Sequence, residues 1–341
     1  MSEIRYDRLH DTHVIIAPER LHRPDCVSAA KEEIVDKNCP FCEGNESMTP
    51  PAIFAIRETG TLANEAGWKT RVVANLYKAL QIEAPYQQHF GSFEAWDGFG
   101  AHEVIIDTPK HHTSMTQWNE MNVIDWLKTL RQRVADLRRD HRIAYISLFK
   151  NEGIQAGATQ SHSHTQLIGL PIIPKSERDL YNLRYRHYKY NAQAIMENIL
   201  LGEEENSTRI IAKSGDFIAF CPFASAYPFE VIISSKKALG HIDTLSDTSI
   251  SQMAPLLLSI LKKLKTQLGC LDFNLCLSTP PLQDATLEHD LLDHVNNSCR
   301  FFIRIMPRIY RHGGFEMSTG IIINPVSPEL AAKLLRESKD E

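Results

Sequence analysis

His102-Glu103-Val104-Ile105-Ile106 and Phe229-Glu230-Val231-Ile232-Ile233 are nearly the same pentapeptide, met twice in one chain. Each is an apolar, β-branched run of single-strand length. Each is followed by a lysine-containing turn, a histidine (His111, His241) and a stretch with apolar residues three and four apart. Over 117–140 the stripe is Met121, Ile124, Leu127, Leu130, Val134 and Leu137, which predicts a helix with Arg131, Arg133, Arg138 and Arg139 on its wet side. The second stripe is Ile250, Met253, Leu257, Ile260, Leu264 and Leu268. The correspondence continues beyond the helices. Residues 144–149 match 273–278 as alternating strands, and 164–171 match 300–307 as strands that end in proline. A β–α–β–β unit duplicated in one chain is the economical account of 341 residues. The predicted fold class is therefore α+β: two similar lobes, 1–200 and 201–341, built on antiparallel sheet flanked by helices. Val72-Val73-Ala74 is a further short strand, 176–200 reads as helix, and the acidic run Glu203-Glu204-Glu205 reads as the linker. The second copy of the last strand has no histidine, so the first lobe is expected to carry chemistry and the second to support it.

Composition narrows the function classes. Lys and Arg number 37 against 42 Asp and Glu, a net charge of −5, and apolar residues make up 43 %. That is ordinary globular usage with no overall field for nucleic acid, so phosphate must meet local donors. The polar start Met1-Ser2-Glu3-Ile4-Arg5 lacks the core of a signal peptide, and no apolar run is long enough to span a bilayer. Seven scattered cysteines do not suggest a disulfide framework. A soluble cytoplasmic protein, with neither membrane nor nucleic acid as partner, is the expectation.

Two motifs carry chemistry. In Ser161-His162-Ser163-His164-Thr165-Gln166, strand alternation places His162, His164 and Gln166 on one face. Two imidazoles and a carboxamide side by side need partners, and a near-neutral imidazole is a competent nucleophile toward phosphorus. The preceding loop, with Asn151, Gly153, Gly157 and Thr159, suits backbone N–H groups approaching an anion. Cys39-Pro40-Phe41-Cys42 reads as a metal half-site, a redox pair or chance. As a zinc half-site it needs two histidines from elsewhere, with His111 or His112 and His162 the natural candidates. Such a closed Cys2His2 site would be structural. Arg20 and Arg23 are spaced to grip a phosphate.

These residues together resemble the galactose-1-phosphate uridylyltransferase family of the histidine-triad superfamily. The likeness runs through Ala17-Pro-x-Arg20-x-x-Arg23-Pro24, Cys39-Pro-Phe-Cys42, Asn75 and Thr108-Pro-Lys-His111. It continues through Lys150-Asn151, Ser161 to Gln166, Tyr227-Pro-Phe-Glu230 and Gly314-Phe-Glu316. The resemblance implies histidine-triad-like lobes and a nucleotidyl transfer in which His164 takes up a nucleoside monophosphate as a covalent adduct. It implies that Gln166 holds the transferred phosphate, with Ser161, Asn151, Gly157 and Thr159 around the phosphates and Arg20, Arg23 and Asn75 around the nucleotide. It selects Cys39, Cys42, His111 and His162 as zinc ligands and assigns Phe315 and Glu316 to the sugar, often across a homodimer interface.

Two departures shape the expectation. Well-known bacterial members carry histidines in the last strand for a second metal, where this chain has Phe302-Ile303-Arg304, so no second metal is expected. Asn75-Leu76-Tyr77, Ser161-His-Ser-His164 and Phe315-Glu-Met-Ser-Thr-Gly320 look more like the ADP-glucose phosphorylase branch, which moves an adenylyl group to phosphate. Adenylyl transfer from a donor such as ADP-glucose or adenylyl sulfate is thus favoured. Uridylyl transfer between hexose phosphates, and a zinc-stabilised nucleotide-binding protein without turnover, are the alternatives. Gln166 stands where hydrolytic histidine-triad proteins have a third histidine, and a carboxamide cannot act as an acid or base at neutral pH.

Overall fold

The computed structural model describes residues 1–22, 38–283 and 287–340. In chain order the strands are β1 (Glu3–Asp7), β2 (Thr12–Ile16), β3 (Ala52–Arg57), β4 (Trp68–Ala74), β5 (Gln88–His89), β6 (Ala95–Trp96) and β7 (Ala101–Ile106). Then come α1 (Glu120–Leu137), β8 (Tyr145–Glu152), β9 (His164–Leu170), α2 (Lys175–Asn191), α3 (Ile195–Asn206), β10 (Ile210–Ser214), β11 (Phe217–Phe220) and β12 (Val231–Ser235). The chain continues through α4 (Asp247–Leu268), β13 (Phe273–Leu277), α5 (Val295–Ser298), β14 (Phe302–Pro307), α6 (Gly314–Thr319), β15 (Ile322–Asn324) and α7 (Pro328–Glu337).

Ten of these strands form one antiparallel sheet in the order β10-β11-β12-β14-β13-β8-β9-β7-β4-β3. Read outward from its centre, each half shows the same sequence of parts. β8-β9-β7-β4-β3 on one side answers β13-β14-β12-β11-β10 on the other, with β8 and β13 paired along the middle. The duplicated unit and the α+β class expected from the sequence are therefore present, each with its own helix. β1 and β2 join β15 in a separate small sheet.

α1 and α4 lie together on one face of the large sheet. Asn119 caps α1 by accepting from the Asn122 N–H, and Ser246 caps α4 by accepting from the Ser249 N–H. Their stripes (Leu127, Leu130, Val134; Met253, Leu257, Ile260) bury against Ile105, Leu148, Leu167, Leu275, Ile303 and Ile305. Trp126 Nε1 donates to Thr165 Oγ1 at 2.8 Å, pinning α1 to β9. On the opposite face the second half is covered by α3 and the β1–β2 turn: Met196, Leu200 and Leu9 pack on Ile218, Phe220, Ile232 and Phe302. The first half keeps His164 and Gln166 on that face, since Thr165 and Leu167 point to α1.

Several details differ from the sequence reading. The twin pentapeptides are not in register. Ile105 faces the helices while Val104 and Ile106 face away, yet Val231 and Ile233 face the helices and Ile232 faces away. A one-residue slip exchanges the faces of a strand. All-apolar strands carry no alternation to reveal it, and Phe229, at φ 58°, enters β12 in the left-handed region. Arg133 is buried rather than wet, its guanidinium forked onto Glu103 at 2.7 and 2.8 Å. Met121, placed on the apolar stripe, is exposed. The stretch read as one helix is two, broken at Ala192 with φ 55°. The acidic run is the last turn of α3 instead of a linker, because Glu203 is buried against Arg209 at 3.0 Å.

Candidate functional site

His164 opens β9 on the face opposite the helices, a largely buried ring paired with Ile106, which packs with Val104, Trp68 and Phe41. Its Nδ1 lies 2.9 Å from the His162 carbonyl oxygen. An oxygen there can only accept, so Nδ1 carries the proton and the lone pair is left on Nε2. Burial, then the nearby Lys150 charge, lowers the basicity of the ring. The structure thus presents a neutral imidazole with Nδ1 locked and the lone pair on Nε2. Phe41 stands edge-on to both the His162 and His164 rings, with centroids 6.1 and 5.6 Å away. It shields the histidine pair from one side, a role that the cysteines around it obscured in the sequence.

Gln166 follows on the same face. Its Oε1 is 3.2 Å from His102 Nε2, while the Ala79 N–H donates to His102 Nδ1 at 3.1 Å. With Nδ1 accepting, Nε2 carries the ring proton and donates to Gln166 Oε1, which turns the Gln166 amino group toward a ligand as a donor. Asn75 stands beside this group, its Nδ2 3.0 Å from His102 Nε2; with Nε2 protonated that approach is a contact and not a hydrogen bond, and Asn75 Oδ1 accepts from the Tyr77 N–H at 2.9 Å. His102 was legible only as the start of a strand. Its link to Gln166 depends on strand pairing, which places Val104 opposite Gln166 and His102 one side-chain position along the same face.

The loop after β8 is shaped by its glycines. Gly153 (φ 84°) and Gly157 (φ 86°) lie in the left-handed region, and a Cβ on Gly153 would stand 2.1 Å from the Asp272 carboxylate. The N–H groups of Ala156, Gly157 and Ala158 close the turn on Gly153 and Ile154 carbonyls. These three amides are spent inside the loop, so an anion would have to meet others. Side chains are placed to meet one as well. Asn151 Oδ1 accepts from Asn274 Nδ2 at 2.8 Å, leaving the Asn151 amino group free to donate. Thr159 and Ser161 are exposed, and Ser161 Oγ lies 3.4 Å from His111 Nε2. Asn274, on β13 in register with Asn151, is a further functional residue that a single strand read alone could not have disclosed.

Cys39, Cys42, His111 and His162 converge, their ligand atoms all within 4.8 Å of one another. Cys42 Sγ is 3.3 Å from His111 Nδ1 and 3.6 Å from His162 Nδ1, and Cys39 Sγ is 3.6 Å from His162 Nδ1. Zinc bonds of about 2.0–2.3 Å in a tetrahedron put ligand atoms roughly 3.3–3.8 Å apart, so the cluster has the right size for one ion. The second nitrogen of His162 faces the Thr108 carbonyl at 2.8 Å, which fixes the tautomer with Nδ1 toward the sulfurs. Burial pulls the His162 pKa down to about 4, as suits a neutral ligand. His112 is not in the cluster; its carbonyl instead accepts from the Ser163 N–H at 2.7 Å.

The remaining predicted residues lie elsewhere. Arg20, Phe315 and Glu316 line a cavity of about 1120 Å³ with Arg308, Arg311 and Gln155, and neither His164 nor Gln166 reaches it. Arg23 lies outside the described residues. In the late strand, Arg304 Nε donates to Glu230 Oε1 at 2.6 Å. No described helix is long and apolar enough to cross a membrane.

The family model described as galactose-1-phosphate uridyl transferase, N-terminal domain, matches residues 1–174. An ADP-glucose phosphorylase of Arabidopsis thaliana is 31 % identical, over 98 % of this chain and 92 % of its own. A galactose-1-phosphate uridylyltransferase of Thermotoga maritima is 25 % identical over the whole of both chains. The crystal structure of an Arabidopsis thaliana ADP-glucose phosphorylase with bound ADP-glucose superposes with a TM-score of 0.81 at 29 % identity, covering 99 % of this chain and 100 % of the other. The chain belongs to the galactose-1-phosphate uridylyltransferase family of nucleotidyltransferases.

Proposed function

We propose that this enzyme moves an adenylyl group from a nucleoside diphosphate derivative such as ADP-glucose to inorganic phosphate, through a covalent adduct on His164. The observation that carries the reading is the locked ring: Nδ1–H bound to the His162 carbonyl, which leaves the lone pair on Nε2. In the first half-reaction Nε2 attacks the α-phosphorus, the N–P bond forms, and the bond to the leaving phosphate oxygen breaks. In the second, an oxygen of the acceptor phosphate attacks the same phosphorus and the N–P bond breaks, which returns the lone pair to Nε2. Gln166 and Asn151 donate to the phosphoryl oxygens as charge shifts between them. Neither can move a proton, which suits exchange between phosphates, both good leaving groups, over hydrolysis. The preference for adenine rests on the closer likeness to an ADP-glucose phosphorylase, 31 % against 25 % for a uridylyltransferase.

Zinc is the ion that the two thiolates and two imidazoles suit best. It would be held by Cys39, Cys42, His111 and His162 in a closed site, and its contribution there is to fasten the 39–42 segment to the residues that lead into β9. Since Phe315 and Glu316 lie apart from His164 within one chain, a homodimer that brings the partner's copy of that segment to the sugar completes the reading.

The test is a panel of ADP-glucose, adenylyl sulfate and UDP-glucose, each with phosphate, glucose 1-phosphate or galactose 1-phosphate, run beside rapid-quench intact mass spectrometry. The expected result is turnover of an adenylyl donor with phosphate and one adenylyl adduct per chain, lost in His164→Ala. Product formation through unmodified polypeptide alone refutes the covalent route, and turnover confined to UDP-glucose refutes the base.

A further inference from the structure

Behind the nucleophile, on the helix-covered face of the sheet, lies a charged group with no assigned role. Lys150 of β8 has no side-chain exposure, and neither has Asp107, at the end of β7. The ammonium donates to Asp107 Oδ2 at 2.8 Å, to Ser163 Oγ at 2.7 Å and to the His164 carbonyl at 3.1 Å. All three protons are thus used. Glu152 Oε2 lies 3.8 Å from the nitrogen, and the Trp118 ring closes the site with its centroid at 5.4 Å.

The lysine therefore joins three neighbouring strands at the point where β9 begins. The Ser163 N–H donates to the His112 carbonyl and the Ser163 carbonyl accepts from the Asp107 N–H, so the peptide units from 162 to 164 are held at every turn. The direction of His164 Nε2 follows from those units, because its ring is fastened through Nδ1 to the His162 carbonyl. Burying an ammonium costs several kcal/mol, and apolar side chains of similar volume in place of a buried ion pair are often as stable or more so. Fold stability alone gives no reason for a lysine here. Geometry does, since a displacement of about 1 Å at a reacting atom costs on the order of 100-fold in rate.

We propose that Lys150 is a positioning residue for nucleotidyl transfer, tying the Ser163 hydroxyl and the His164 carbonyl to Asp107 so that Nε2 is aimed at phosphorus. This rests on His164 being the nucleophile, and the experiment separates the two claims. The enzyme is mixed with the donor that reacts in the panel above, without acceptor, and adduct formation is followed by rapid quench and intact mass.

Wild type, Lys150→Met/Asp107→Leu and Ser163→Ala are compared, together with zinc content and melting temperature. The double variant removes the ion pair together, and Glu152, whose pKa burial raises, can take up a proton once the ammonium is gone. Its maximal adduct rate is expected to fall about 10–100-fold, with the half-saturating donor concentration, zinc content and melting temperature held near wild type. Ser163→Ala removes one acceptor of the ammonium, with the hydroxyl's own 3.4 Å bond to Asp107 Oδ2, and is expected to slow the same step several-fold, which keeps the proposal testable should the double variant not fold. A wild-type adduct rate in Ser163→Ala or in the folded double variant overturns the role of Lys150, as does a loss of rate that merely tracks loss of zinc or of melting temperature. Absence of any adduct in wild type overturns the nucleophile instead.

Discussion

Asn274 gives the sharpest test of how the phosphate loop works, because one amide nitrogen there does two things. It donates to Asn151 Oδ1 at 2.8 Å and to the Ala156 carbonyl at 2.9 Å. The first bond decides which end of Asn151 faces the ligand, and the second holds the glycine turn in place. Each neutral bond is worth about 0.5–1.5 kcal/mol, and a bond from the Asn151 amino group to a charged phosphate about 1.5–3 kcal/mol. Asn274→Ala frees Asn151 to rotate and loosens the turn. A loss of about 1.4 kcal/mol, or tenfold in kcat/KM, follows. Asn274→Asp is close to isosteric yet reverses the sense of the contact. Its carboxylate accepts from the Asn151 amino group, so that the Asn151 carbonyl faces the phosphate, and it adds a negative charge beside a polyanion. The loss is expected to exceed about 100-fold, well beyond that of alanine. The assay is steady-state kcat/KM with the reactive donor, with melting curves to show that both variants fold. Aspartate equal to or better than alanine refutes the argument that the Asn151 amino group meets the phosphate.

Three further outcomes are expected. Cys39→Ser, or removal of metal with a strong chelator, should take zinc from about one ion per chain to none and slow adduct formation at His164; unchanged metal content in the variant removes the four-ligand site. Arg133→Met leaves Glu103 buried without its partner and should cost about 3–5 kcal/mol in urea unfolding, whereas Arg133→Met/Glu103→Leu should recover most of that; equal losses in both variants contradict it. The His241 pKa is held down to about 3 by burial, below the ordinary value near 6.5, so the unfolded chain binds the proton first. Stability should fall on acidification from 6.5 toward 3 by up to about 1.4 kcal/mol per pH unit from this group, and His241→Phe should flatten that slope between pH 5 and 6.5, with an unchanged slope as the contrary result.

The order of elements was legible because each carries its own periodicity: the stripes of α1 and α4, the β-branched runs of β7 and β12, the prolines that end β9 and β14. The metal cluster was legible as types and spacing, although the residues alone left His111 and His112 equal. What escaped depended on facing. Nothing in Val231-Ile232-Ile233 says which side meets the helices, and Phe229 shifts that register by one. Arg133 lies among arginines that do face water, and only Glu103 on the neighbouring strand explains its burial. The partners of His102, Asn274 and Lys150 (Gln166, Asn151 and Ser163) lie on or beside other strands, so these contacts exist only once the strands are paired.

The same pairing alters the division of labour that the missing histidines suggest. The second half does support the first, but the support reaches the phosphate loop directly. Asp272 Oδ2 accepts from the Gln155 N–H at 2.8 Å, the Asp272 carboxylate fills the space that any side chain at Gly153 would need, and Asn274 orients Asn151 from the strand next door. The matching face of the second half is packed with Met196, Leu200 and Phe302. The duplicated fold thus keeps the proposed nucleophile in one half and uses β13 of the other half, paired to β8, to shape the loop beside it. On this argument, substitutions at Asp272 and Asn274 should weaken catalysis more than changes of equal burial elsewhere in the second half, because these two side chains hold the loop's backbone and orient Asn151.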